Sequence, residues 1–254
     1  MQILKDQKMS NVGAVILAAG KGKRMGSKTF NKVTLELGGK PMIKYAVELA
    51  QSLKLSPIIV VVGFAKESVK KLIGEGVIFA EQKKRLGTAH AVSQGLKTLP
   101  QEVSDVLVIQ GDDSAFYKKE ILQQLINSHI ENNNAITFLT AEVSNPSGLG
   151  RIVRDKNGKV LAIVEEKDAT RLEREIKEIN PACYVFNLKF LKKYLPKVPK
   201  SSVSGEYYLV SLVDIAIKNK QKLQDAVGGF TPWRGVNTKE ELEEAQNMYS
   251  KLKP

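Results

Sequence analysis

A short apolar run that stops in a turn of glycines and cations, Val12 to Met25, most constrains what this 254-residue chain can fold into. Val12-Gly13-Ala14-Val15-Ile16-Leu17 is too short for most helices and rich in β-branched residues, so it reads as a buried strand. It breaks into Ala18-Ala19-Gly20-Lys21-Gly22-Lys23-Arg24. Small residues and two glycines let a backbone approach a ligand closely, and glycine takes positive φ without steric cost. Successive backbone N–H groups in such a turn can converge on an anion. Lys21, Lys23 and Arg24 add positive charge to the same loop. The reading is a phosphate-binding loop at the C-terminal end of a first strand, where open α/β sheets bind ligands. Two familiar phosphate loops fail on spacing. A dinucleotide fingerprint would need a third glycine where Met25 stands, and a Walker A loop would need one at Met25 or Ser27. A solvated surface turn is the plain alternative.

The segments that follow alternate in period. Helical spacing covers Pro41 to Lys54, Ala65 to Ile73, Gly87 to Leu99 and Lys118 to Asn132. Strand-like runs lie between them, at Pro57 to Val62, Gly76 to Ala80 and Asp105 to Ile109. Such alternation predicts right-handed βαβ units and a mostly parallel sheet. Beyond Asn134 the pattern turns to strands, at Ala135 to Val143, Arg151 to Arg154, Val160 to Glu165 and Pro181 to Phe186. Asp155-Lys156-Asn157-Gly158 supplies a hairpin turn. Helices are expected at Phe190 to Tyr194, Glu206 to Lys218 and Thr238 to Lys251, the last opened by a Thr238/Glu241 capping box. The expected fold is α/β, a Rossmann-like, mostly parallel sheet flanked by helices, with a small β-rich subdomain laid on it.

Composition narrows the partners. The net charge of +12 suits nucleic acid or small anionic substrates. The lysines are spread along the chain, with no arginine-rich arm, zinc-finger spacing or RNA-reading aromatic motif, which argues against a nucleic-acid face. No apolar run approaches the roughly 20 residues that span a bilayer, and residues 1–11 lack a signal-peptide core. A single cysteine, Cys183, excludes an internal disulfide and fits a reducing cytoplasm. A homo-oligomer stays open.

Leu17-Ala18-Ala19-Gly20-x-Gly22-x-Arg24-Met25 resembles the signature of the sugar-phosphate nucleotidyltransferases. Within them the chain is most similar to the uridylyltransferase domain of the bacterial bifunctional N-acetylglucosamine-1-phosphate uridylyltransferase/glucosamine-1-phosphate acetyltransferase. The family continues with Pro-Lys and Gly-Lys-Pro-Met. This chain has Asn31-Lys32 and Gly39-Lys40-Pro41-Met42, with one extra residue between Arg24 and Lys32. Glu81 to Ala91, EQKKRLGTAHA, matches a second family segment. By residues alone, Gly87-Thr88 is a helix start with free N–H groups. By resemblance, Gln82 reads a pyrimidine edge and Gly87 and Thr88 contact the base, while His90 packs the helix. Asp112 follows a strand and Gly111, at the sheet edge where carboxylates commonly hold Mg²⁺. The resemblance assigns Gly111 to the nucleotide and the metal to Asp112 and to Asn237, which otherwise reads as a helix-start residue. The family's Asp-x-Pro is here Asp112-Asp113-Ser114, leaving Asp113 as a second ligand or a turn residue.

Four pieces match the family's acceptor site: Gly150 of Gly-Arg-Ile, Glu165, Asn180 and Tyr208. Two departures stand beside them. The family's Thr-Gly after the asparagine is Pro181-Ala182, and its Thr-Asp after Tyr-Tyr-Leu is Val210-Ser211. The resemblance runs from about Val12 to Ala245, and no hexapeptide repeats of an acetyltransferase follow. It implies residues 1–11 as an extension and 12–254 as one domain. Within that domain 12–134 would bind mainly the nucleotide, 135–236 mainly the acceptor, and 237–254 would form a closing helix.

What the resemblance implies is Mg²⁺-dependent transfer of a nucleotidyl group, from UTP first, to a sugar-1-phosphate such as N-acetylglucosamine-1-phosphate. Leu17 to Gly22 would hold the triphosphate, with Lys21 and Arg24 on its outer phosphates and Lys32 across the α-phosphate. Arg24 and Lys32 are the expected catalytic pair. Thymidylyl transfer to glucose-1-phosphate and a catalytically weak sugar-nucleotide sensor are the rival readings.

Overall fold

The computed structural model describes residues 11–26, 28–227, 233 and 235–252. Nearly all of the extension expected over 1–11, the side chain of Lys23, and Arg234 lie outside the described residues. In chain order the elements are β1 (Val12–Ala18), β2 (Glu36–Leu37), β3 (Lys40–Pro41), α1 (Met42–Ser52), β4 (Ile58–Val62), α2 (Lys66–Ile73), β5 (Ile78–Glu81), α3 (Thr88–Leu96), β6 (Asp105–Gln110) and α4 (Lys119–Glu131). There follow β7 (Ile136–Glu142), β8 (Gly150–Arg154), β9 (Val160–Val164), α5 (Arg171–Arg174), β10 (Glu178–Asn180), β11 (Tyr184–Asn187), α6 (Leu188–Tyr194), α7 (Ser211–Lys218), β12 (Leu223–Val227) and α8 (Lys239–Leu252).

One large sheet runs β5-β4-β1-β6-β11-β7-β10-β8-β9, with β12 beside β7, and β2-β3 forms a small ribbon of its own. β5, β4, β1 and β6 are parallel. Every residue of β1 is buried because both sheet faces are covered, which explains its unbroken apolar sequence. Val12, Ala14 and Ile16 pack with α1 and α4, while Val15 and Leu17 face α3, α6 and α7. The second half does not make a separate layer. β11 pairs antiparallel with both β6 and β7, so the same sheet continues into the β8–β9–β10 meander.

Local chemistry explains most boundaries. The β8–β9 turn is held by the Asp155 carboxylate, which accepts from the Asn157 and Lys159 amides at 2.8 and 2.9 Å. The capping box at α8 is present: the Glu241 amide donates to the Thr238 hydroxyl and the Thr238 amide to the Glu241 carboxylate, both at 3.2 Å. Three expectations need correction. Glu206 to Val210 is not helical, because Tyr207 donates to Leu86 O and accepts from Ala89 N, an extended docking that outweighs helical spacing. The strand expected from Pro181 starts only at Tyr184, since Ala182 is left-handed at φ +58°. Four strands went unread: the two-residue β2 and β3, and β10 and β12, whose sequences EIN and LQDAV are short and lack alternation.

Candidate active site

The parallel strands β1, β4, β5 and β6 end together at Ala18, Val62, Glu81 and Gln110. Beyond those ends lie two joined cavities of about 510 and 620 Å³. Leu17, Ala18, Ala19, Gly20, Lys21 and Gly22 line the first, as the sequence predicts. Gly22 is needed twice over: its φ is +59°, and a Cβ there would sit 3.1 Å from the Lys32 Cβ. The loop returns through Asn31, which is fully buried. Its amide donates to Ala18 O at 2.8 Å and Phe64 O at 2.9 Å, and its oxygen accepts from the Val33 amide at 3.2 Å. That cap starts the short 3₁₀ turn Lys32–Thr34. The residue standing where the family has proline therefore ties Lys32 to the end of β1.

Lys32 sits where the two cavities meet. Its ammonium is ion-paired with Asp112 Oδ2, and it donates to Asn237 Oδ1 at 2.7 Å and Val236 O at 2.9 Å. Asp112 and Asn237, 125 positions apart, thus converge on one cation. Oxygen donors gathered around a positive charge fit a hard divalent ion such as Mg²⁺, whose other ligands would be water and phosphate. Asp113, next in sequence, also lines the second cavity. It is buried and accepts from the Tyr117 hydroxyl at 2.8 Å. Burial first, then the neighbouring Asp112, pushes its carboxyl well above the usual carboxylate range.

Gln82 is buried and lines the first cavity. Gly87, at φ +105°, starts α3, and a Cβ there would collide with the Tyr207 main chain, 2.7 Å from its nitrogen. The Thr88 hydroxyl accepts from the Leu209 amide at 2.9 Å, so the start of α3 is stitched to the 207–209 segment.

The second cavity gathers Gly150, Glu165, Asn180 and Tyr208 with Arg24, Glu166 and Pro181. Asn180 is fixed at both ends: its oxygen accepts from the Ala182 amide at 3.0 Å and its nitrogen donates to the Tyr184 hydroxyl. Burial, followed by the nearby Asp168 and Glu206, pushes Glu165 up to about 7. Tyr208 donates to the Ser204 hydroxyl, and burial raises its own pKa. The fully buried Arg151 pairs with Glu166 at 2.7 Å and steadies this wall.

Two expected residues lie elsewhere than expected. Arg24 lines the second cavity and not the first, with its guanidinium beside Gly148. Gly111 lines neither; its amide donates to Leu17 O at 3.1 Å, and a Cβ there would meet Ile43 at 2.8 Å. Its role is to let β6 close against β1. The sequence reading missed Arg85 in the first cavity, and Lys167 and Glu206 at the junction of both. These are loop charges with no periodicity to mark them. Lys167 and Glu206 each stand two positions from a residue matched to the family, Glu165 and Tyr208.

Comparison with known proteins agrees with this geometry. Residues 13–251 match the nucleotidyl transferase family. The chain is 40% identical over 247 residues to the bifunctional protein GlmU of Thermoanaerobacter pseudethanolicus, covering 96% of this chain and 52% of that protein. It is 42% identical over 240 residues to GlmU of Bacillus cereus, again covering 94% of this chain and 52% of the relative. The chain therefore spans about half the length of these relatives. Among solved structures, a Bacillus anthracis protein described as a glucose-1-phosphate thymidylyltransferase superposes with a TM-score of 0.80 at 21% identity, covering 94% of this chain and 95% of that one. A UDP-glucose pyrophosphorylase complexed with UDP-glucose superposes with a TM-score of 0.77 at 20% identity, over 96% of this chain and all of the other. Those identities speak to the fold alone. The match over nearly the whole chain makes this protein a member of the nucleotidyl transferase family.

Proposed function

We propose that the chain transfers a uridylyl group from UTP to a hexose-1-phosphate, N-acetylglucosamine-1-phosphate first, with release of pyrophosphate. The observation that carries this reading is the junction at Lys32: a phosphate-loop cavity and a second, sugar-sized cavity share one cation held by Asp112 and Asn237. An acceptor phosphate oxygen attacks the α-phosphorus, the bond from that phosphorus to the bridging oxygen breaks, and pyrophosphate departs. Such a reaction needs positioning and charge neutralisation more than covalent catalysis. The phosphate nucleophile is already ionised near neutral pH, so no general base is required.

The loop amides from Ala18 to Gly22, with Lys21, hold the outer phosphates. Lys32, on a flexible stem, offers its ammonium to the α-phosphate as charge develops there. Arg24 approaches from the acceptor side and draws the sugar phosphate toward the junction. Asp112 and Asn237 would hold Mg²⁺, which when bound supplies charge neutralisation between the two substrates. Glu165, Asn180 and Tyr208 orient the sugar through its hydroxyls. The buried free thiol of Cys183 supports a cytoplasmic setting. Among the described residues, no helix is long and apolar enough to cross a membrane.

The test crosses UTP, TTP, CTP, ATP and GTP with a panel of sugar-1-phosphates and reads pyrophosphate. Strongest release with UTP and N-acetylglucosamine-1-phosphate is expected. Preference for TTP with glucose-1-phosphate would move the assignment to thymidylyl transfer. Triphosphate binding without any release would make the chain a sensor.

A further inference from the structure

Gln82 is the side chain that the cleft offers to a base, and its amide is spoken for on one side. The nitrogen donates to Gly87 O at 3.0 Å. A carbonyl oxygen only accepts, so the Gly87 contact fixes which end of the amide points inward. The same nitrogen lies 3.0 Å from His90 Nδ1, on the first turn of α3. Both protons of the amide are then used against the protein: one on Gly87, one on the ring.

A neutral imidazole accepts at one nitrogen. Gln94 meets the ring's other nitrogen, Nε2, at 3.2 Å, and its own amide shares partners with Ser93 and the exposed Lys97. For Gln94 to accept from Nε2 its amide must turn over, exchanging the contact with the exposed Lys97 for the ring. The inner one is pinned by Gly87, so Nδ1 is the accepting nitrogen and Nε2 carries the hydrogen. Burial, then the nearby Lys97, lowers the His90 pKa and favours the neutral ring this arrangement needs.

What remains of Gln82 for a ligand is Oε1, which accepts from no described residue and belongs to a side chain lining the nucleotide cavity. An oxygen offers lone pairs only. Uracil and thymine carry an N3–H between two carbonyls and can donate to it. Cytosine presents a bare N3 lone pair beside an amino group, which sets acceptor against acceptor. An amide free to rotate would read either base equally well, because it has a donor and an acceptor to choose between. The notched wall therefore discriminates only while something holds the amide still.

We propose that His90 is a positioning residue for the base-reading amide: together with Gly87 O it accepts from Gln82, keeps the amide oxygen for the ligand and so favours a 2,4-dioxopyrimidine nucleotide over a cytosine nucleotide. This rests on the pyrimidine reading given under Proposed function. It assigns His90 a role in specificity that neither packing of α3 nor the transfer chemistry demands.

The experiment is isothermal titration calorimetry of UTP and CTP, each with Mg²⁺, against the wild type and the variants His90→Leu, His90→Asn and Gln82→Ala. Each protein supplies its own ratio of CTP to UTP dissociation constants, so changes in the active fraction cancel. The wild type is expected to favour UTP by at least about tenfold, the cost of an unpaired or mismatched buried polar group. His90→Leu removes one of the two acceptors that hold the amide, leaves Gly87 O as its remaining anchor, and should lower the ratio at least about threefold. His90→Asn restores an acceptor oxygen and should recover most of the preference, which a merely structural histidine would not require. Retention of the wild-type ratio in His90→Leu, with its loss in Gln82→Ala, would overturn the proposal while leaving the UTP assignment intact. A wild type that prefers CTP or a purine triphosphate would overturn both together.

Discussion

On the nucleotide side of the cleft the wall is built around two glycines at positive φ, Gly22 in the Leu17 to Gly22 loop and Gly87 at the start of α3, with Lys21, Lys32 and Arg85 beside them. On the acceptor side it is largely side chains: Arg24, Glu165, Glu166, Asn180 and Tyr208, carried by loops and by antiparallel strands. Both departures in the acceptor motifs, Pro181-Ala182 and Val210-Ser211, belong to the second wall or abut it. The contrast is physical. A phosphate cradle needs particular φ angles and the absence of Cβ atoms, so few sequences build it. Hydrogen bonds to sugar hydroxyls can be supplied by several residue types. On the proposed function, the first wall would fix the reaction and the second would choose the acceptor.

The junction gives the largest expected effect, since it belongs to both walls. Asp112→Asn keeps the shape and removes the charge facing Lys32 and the proposed metal. Pyrophosphate release should fall by at least about 100-fold, or roughly 2.7 kcal/mol, while UTP affinity changes far less. Chelation by EDTA should silence the wild type. Full turnover in either case would remove the cation from the mechanism.

Gly87→Ala tests whether the walls are separable. The new Cβ would press on the Tyr207 main chain, and its positive φ adds strain of about 1–2 kcal/mol. Binding should weaken about tenfold for the triphosphate and also for the acceptor, measured by initial rates over both concentrations. A loss confined to the triphosphate would show that the 207–209 segment moves independently.

Arg24→Ala should lower turnover about tenfold, equal to about 1.4 kcal/mol. Because Arg24 lines the acceptor cavity, most of the loss should be seen in kcat/KM for the sugar phosphate, with UTP affinity near normal. A loss falling entirely on UTP would return Arg24 to the triphosphate.

Glu165 makes the acceptor wall sensitive to pH. Its pKa is raised, from 4.5 to about 7, so the folded protein holds a proton that the unfolded chain has released. Glu165 therefore favours the folded state fully only below about pH 4.5, and that contribution is lost as pH rises to about 7. Acceptor binding runs the other way if the sugar hydroxyls need the carboxylate. KM for the sugar phosphate should fall about three- to tenfold between about pH 6 and 8, and Glu165→Gln should flatten the profile. An unchanged profile in the variant would place the titration elsewhere.

Ala182→Gly is the gentlest change. An L-residue at φ +58° is strained, and glycine would relieve this at a smaller cost in chain entropy. A gain of about 0.5 kcal/mol, or 1–2 °C in Tm, is expected by calorimetry. A lower Tm would mean that the alanine methyl contributes packing that outweighs the strain.

Much of this was legible before any coordinates. The β1 run, the broken turn and the alternation of periods located the parallel half to within a few residues, because burial on both faces leaves an unmistakable apolar block. The antiparallel half was harder. Glu206 to Val210 has helical spacing but is held extended by Leu86, Thr88 and Ala89, more than 100 positions earlier. No local pattern carries that information. Arg85, Lys167 and Glu206 reach the cleft from loops, where charge is ordinary and position is set by the fold. Arg24 stood in the right motif, but which cavity it faces depends on where the 146–150 segment comes to lie.

The contacts of Lys32 with Val236 and Asn237 span more than 200 positions. Alongside them, Gln246 of α8 bonds Glu36 O and the Gly38 amide, and Tyr249 meets Tyr45 edge-on. During synthesis, then, the parallel sheet and its glycine loop can be in place well before the cleft is finished. At roughly 5–20 residues per second, the stretch between Asp112 and Asn237 takes about 6–25 s to emerge. Through that interval Asp112 lacks the amide that completes its cation seat, and the cradle is open to water on that side. The nascent chain therefore carries the glycine loop and Asp112 before the residues that meet Lys32 from the far end of the sequence, and those contacts wait on the emergence of α8 and the segment before it.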